Sequence, residues 1–121
     1  MTLPRAFLLT ALLYAVVGIG LGIQMGVAHD FTAVPVHAHI NLVGWVTLAF
    51  FGLIHRAYPA LATSRLAWPQ FWIVEAGAFV FPIGIALSIY RDQPLLAILG
   101  SLAVFTGVVL FLVMAVTKLR D

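Results

Sequence analysis

Val36-His37-Ala38-His39-Ile40-Asn41-Leu42-Val43-Gly44-Trp45 sets two histidines one residue apart at the start of a long apolar run. If the run is helical, residues i and i+2 lie about 200° apart around the axis, so the two imidazoles leave on nearly opposite sides. Two ligands for one metal on a single helix are usually spaced i, i+3 or i, i+4, which share a face. The His-x-His spacing suits a helix that gives one ligand to each of two separate sites.

The rest of the chain says what kind of helix this is. Of its 121 residues, 64% are hydrophobic and 8% charged. A soluble domain carries about a quarter of its residues as charges, so this chain cannot cover itself with a polar surface. Apolar runs of about 18 residues or more mark membrane spans, and the chain holds four. Six basic residues against four acidic ones are too few and too scattered to suggest nucleic acid. The absence of cysteine excludes disulfides, thiolate metal sites, iron–sulfur clusters and thioether-linked haem. Any cofactor must be held by histidine, methionine or carboxylate.

The expected architecture is all-α, a single four-helix transmembrane domain over residues 1–121 with spans at about 6–27, 36–54, 70–90 and 94–117. The first run is longer than the roughly 7–15-residue apolar core of a cleaved secretory signal, so it is expected to persist as a span. Gly18, Gly22 and Gly26 recur every four residues on it and make a smooth stripe for close approach of another helix, or of a flat ligand. Ala60 to Trp68 reads as a loop, and Pro82 predicts a kink in the third span. Arg91-Asp92-Gln93 forms a tight turn before Pro94. Four spans put Arg5, Arg56, Arg65, Lys118 and Arg120 on one side and Arg91 alone on the other, with Asp30 and Asp92. The positive-inside rule then places both termini in the cytoplasm of a bacterial-type inner membrane, with the histidine pair near the outer surface.

Helical phase aligns His37 with Asn41, Gly44, Leu48, Phe51 or Gly52 and His55, and aligns His39 with Val43, Val46, Phe50 and Leu53. Gly44, two turns from His37, would leave room beside a large planar group bound there. On this reading His37 and His39 are axial ligands of haem irons. The alternative is a pair of interfacial histidines bonded to loop backbone. His29 and His55 read as loop and helix-end residues, and Met25 and Met114 as packing. Glu75 is either a proton-handling acid or a partner of Arg65 or Arg56.

His37 to Trp45, followed by Arg56-Ala57-Tyr58-Pro59, resembles the haem-ligating helices in the catalytic subunit of haem–copper oxidases and nitric oxide reductases. That subunit has twelve spans in three pseudo-equivalent groups of four, and a His-x-His pair on one helix ligates two different haems. The resemblance implies that this chain is like one such four-helix group. It also implies that Arg91, in Tyr90-Arg91-Asp92-Gln93-Pro94, corresponds to the arginines that meet haem propionates. The family's copper site needs further histidines on other helices, and the third and fourth spans here carry none. No copper is therefore expected, and the chain is read as non-catalytic by itself.

One four-helix unit gives too little wall to enclose a haem. Three copies would close a twelve-helix ring in which His37 of one protomer and His39 of the next share an iron; a dimer with fewer haems is the variant. The expectation is a non-covalent haem b, low-spin and bis-histidine, serving electron transfer. The alternatives are a haem-based gas or redox sensor or haem carrier, and a haem-free structural or assembly protein.

Overall fold

In hydrocarbon every backbone N–H and C=O must be paired within the protein, and a long continuous apolar run does so by becoming a helix. In the computed structural model, which describes residues 1–119, α1 spans Leu3–Ala28, α2 Val34–His39, α3 Leu48–Ala57, α4 Pro59–Ala62, α5 Ala67–Arg91 and α6 Leu95–Lys118. Ile40–Thr47, between α2 and α3, is π-helical, so α2, this segment and α3 make one continuous second span, Val34–Ala57. The chain is all-helical, with no strand among the described residues, and is an integral membrane protein of four candidate spans. These spans have 24 to 26 residues, about 36–39 Å at about 1.5 Å per residue. That exceeds the roughly 30 Å of a bilayer's hydrocarbon core. Arg120 and Asp121, part of the C-terminal charge, lie outside the described residues.

Three local features differ from the sequence expectation. The spans extend further than the uncharged runs, because polar residues join the end turns; α5 begins at Ala67 and places Pro69 in its first turn, where a missing N–H leaves no bond unmade. The stretch expected as a loop after Tyr58 contains the helical turn α4, which is pinned by the fully buried Leu61. The centre of the second span is π-helical rather than α-helical. There the Thr47 hydroxyl donates to the Leu42 carbonyl at 2.7 Å, five residues back, the step of a π-helix.

Both turns on the histidine side use left-handed residues. His29 ends α1 at φ 52°, and Asp92 ends α5 at φ 54°. Histidine and aspartate are among the few side chains that visit this region readily, so His29 serves as the cap of α1. Beyond it, Asp30 accepts from the Thr32 amide at 3.0 Å and from its hydroxyl at 2.7 Å. Those bonds hold the exposed Asp30 carboxyl below the usual carboxylate range. The turn keeps them at neutral pH and loses them as pH falls through that lowered value.

Two antiparallel pairs build the bundle, and glycine is what brings each together. In lipid, helices associate through close packing and not by hydrophobic exclusion, so small residues at the seam are decisive. In the first pair, a Cβ on Gly18 would stand 2.5 Å from Asn41 Nδ2, one on Gly22 2.8 Å from His37 Cε1, and one on Gly44 2.5 Å from Tyr14 Cγ. The second pair, α5 and α6, locks through Gly77 and Gly84 facing Val104 and Ala97, and through Gly100 and Gly107 facing Phe81 and Val74. Aromatic rings tie the pairs together at the end opposite the histidine pair, where Phe7 meets Phe71 at 4.8 Å and Phe51 meets Phe111 at 4.5 Å. The outer face of α6 carries exposed Leu102, Phe105, Leu112 and Val116, as a lipid-facing helix should.

Candidate cofactor-binding site

The second span lies between α1 and α5, and its two histidines turn to opposite neighbours. His37 packs into the notch left by Gly18 and Gly22 on α1, and its Nδ1 lies 2.7 Å from the Gly18 carbonyl oxygen. His39 turns the other way and meets the Phe81 ring of α5 edge-on, with centroids 4.7 Å apart. Its own Nδ1 lies 2.7 Å from the Pro35 carbonyl oxygen, one turn back.

These two bonds fix the tautomer. A carbonyl oxygen only accepts, so in each ring Nδ1 carries the proton and donates it, leaving Nε2 with a bare lone pair. That is the state in which histidine ligates a metal, with its other nitrogen held by a backbone carbonyl. Asn41 supports the first ring: its Nδ2 donates to the His37 carbonyl at 2.9 Å and lies 3.3 Å from His37 Nδ1. Asn41 in turn fills the space over Gly18, so one side chain secures both the histidine and the helix contact.

Gly44 does belong to the stripe of His37, but the Tyr14 ring covers it. Its lack of a side chain admits a tyrosine from α1, so any planar group on His37 must lie elsewhere. Arg91 is exposed at the last turn of α5 and borders a groove of about 320 Å³ together with Tyr90, Val36 and Ile40. It therefore shares the histidine end of the molecule. Gly18 and Gly22 serve helix packing, whereas Gly26, third of that stripe, faces open space.

His55 also donates from Nδ1 to a backbone carbonyl, that of Phe51 at 2.8 Å. Its Nε2 is enclosed, though, with the ring stacked on Phe7 at 5.4 Å and against Phe111 at 5.4 Å. At 1% exposure it is a core residue that no iron can approach without unpacking these rings. Gln70, on the buried face of α5, is likewise sealed, with both amide atoms unpartnered. Met25 and Met114 are buried packing residues. Glu75 is joined by a hydrogen bond to Thr10 of α1, while Arg56 and Arg65 are exposed at the membrane end. The sequence reading missed Thr10 and Gln70, because a lone hydroxyl or amide in an apolar run has no spacing signal.

Among the described residues no three His, Asp or Glu side chains gather as a metal cluster. A metal bound by the histidine pair would thus draw its remaining ligands from the cofactor itself or from another copy. No family model, curated protein or solved structure matches the chain.

Proposed function

We propose that the protein is a membrane b-type cytochrome, in which His37 and His39 of neighbouring copies grip the two sides of a non-covalent haem b. The observation that carries this reading is the pair of Nδ1–carbonyl bonds. They leave two Nε2 lone pairs, neither fully buried nor hydrogen-bonded among the described residues, on opposite sides of one span. Each ring is held ready for a metal, and since they diverge within one chain, a shared iron needs a second copy. A cyclic trimer satisfies both histidines of every protomer. Arg91, at the same end, supplies a cation for propionate carboxylates. The resemblance of His37–Trp45 to the ligand helix of haem–copper oxidases and nitric oxide reductases points to the same chemistry.

Bound haem would supply a one-electron couple whose potential is set by its axial ligands and burial. The chain's contribution is the two imidazoles, their orientation by the Gly18 and Pro35 carbonyls, and the positioning of His37 by Asn41. With both axial positions taken by histidine, the site has no opening for a substrate. The purified protein is therefore expected to show low-spin b-type bands that respond to reductant and do not change under carbon monoxide. Carbon monoxide binding would instead favour a gas sensor or haem carrier. A colourless protein after expression with ample haem would leave the haem-free structural role, which the seating of His37 in a glycine notch also fits.

The charge distribution supports an orientation with both termini in the cytoplasm of a bacterial-type inner membrane and the histidine pair at the outer surface. The chain has no native cysteine, so single cysteines can test this. In intact cells stripped of their outer wall, Asp92→Cys should react with a membrane-impermeant thiol reagent and Ser64→Cys should not. The reverse pattern would invert the protein and put the histidines on the inner side.

A further inference from the structure

A cavity of about 400 Å³ separates α1 from α5 beside the second span, and it is lined by apolar side chains such as Leu13, Ile40 and Phe79. Three side chains break the apolar wall: Thr10, Tyr14 and Glu75. Of the three carboxylic side chains among the described residues, Asp30, Glu75 and Asp92, only Glu75 falls inside a span. It lies eight residues beyond Ala67, the first residue of α5, about 12 Å along the helix. From α1 it is faced by Thr10 and Tyr14, and from the second span by Ile40. Helix α6 carries no ionisable side chain before Lys118 in its last turn.

The bonds of Thr10 favour one form of Glu75. Its hydroxyl oxygen lies 3.1 Å from the Ala6 carbonyl, 3.1 Å from the Phe7 carbonyl, and in hydrogen-bond contact with Glu75 Oε1. A hydroxyl has one proton, and the two carbonyls can only accept. When that proton serves the backbone, as threonine commonly does within a helix, the Glu75 contact is a bond only if Glu75 is the donor. An ionised carboxylate at this depth, with no cation lining the cavity, would also be costly.

We infer that Glu75 is an intramembrane proton-binding site: it stands as the neutral acid, donates its proton to Thr10 Oγ1, and is reached through the cavity between α1 and α5. The site shares no residue with the histidine pair, so it stands or falls independently of the haem reading. It is also a modification site of definite chemistry. An apolar carbodiimide takes the acid's proton on nitrogen, the carboxylate oxygen adds to the central carbon, and the O-acylurea rearranges to a stable N-acylurea. Nothing leaves, so the protein gains the whole mass of the reagent.

The test is intact-mass analysis and peptide mapping of the full chain in lipid nanodiscs, treated with dicyclohexylcarbodiimide or with a water-soluble carbodiimide. The apolar reagent is expected to give one adduct, on Glu75, that is absent in Glu75→Gln and slows as pH is raised. The water-soluble reagent should reach Asp30 and Asp92 and leave Glu75 untouched. Infrared spectra of the unmodified protein give a second reading, since a carboxylic-acid C=O band should be present at neutral pH. Failure of the apolar reagent to label Glu75, labelling of Glu75 by the water-soluble reagent at the rate of Asp92, or absence of the acid band would each overturn the site.

Discussion

Alanine at either His37 or His39 is expected to leave the purified protein without haem, while each variant still elutes at the size of the parent protein. In a shared bis-histidine site each iron takes one ligand of each kind, so either substitution strips one axial ligand from every haem. Loss of an outer partner of a metal-ligating histidine already costs about 10–100-fold in affinity, and loss of the ligand itself should exceed that. Haem-to-protein ratio in the purified variants, read from the Soret band, is the measurement. His55→Ala is the control with the opposite signature. Its Nε2 is enclosed between Phe7 and Phe111, so haem content should not change. Emptying that buried site should lower stability by about 2–4 kcal/mol, as large-to-small core changes do. Full haem content in both the His37 and His39 variants would end the proposal.

The largest effect on the fold itself is expected at Gly84. A Cβ there would overlap the backbone of Leu96 and Ala97 on α6, and backbone cannot rotate aside as a side chain can. Gly77, against the Val104 amide at 2.6 Å, and Gly100, against Phe81 Cα at 2.6 Å, repeat the contact along the same seam. Leucine at Gly84 must push α5 and α6 apart over their whole length, at a cost of about 3 kcal/mol or more, the upper range of overpacking. A monodisperse peak lost to aggregate, or a Tm lowered well below that of the parent, would register it. Gly20→Ala and Gly26→Ala meet nothing within 4 Å, and there alanine should stabilise by up to about 1 kcal/mol through helix propensity. If Gly84→Leu behaved like Gly26→Ala, α5 and α6 would not meet along this glycine seam.

The helical stripe of the second span was legible from spacing. His37, Asn41 and Gly44 all face α1, in antiparallel order against Gly22, Gly18 and Tyr14. The divergence of His37 and His39 was legible for the same reason, since two residues of helix turn a side chain more than half way round the axis. The role of Gly44 was not, because a vacancy beside a glycine and a tyrosine seated in it leave the same mark on one strand of sequence. Nor was the π-helical segment, since no residue type in Ile40–Thr47 marks where the backbone bonds reach five residues back instead of four.

The sequence by itself determined that the chain is a four-span membrane protein, because four continuous apolar runs of this length satisfy their backbone in lipid by becoming helices. It also determined that the two histidines part company, because helix geometry acts locally. Only the tertiary structure decided which neighbour each histidine meets, that the Gly18 carbonyl holds His37 Nδ1, that His55 is sealed, and that Glu75 hydrogen-bonds to Thr10 from a helix 65 residues away. Those are contacts between surfaces brought together by close packing of helices in lipid, and such packing depends on the shapes of both partners at once.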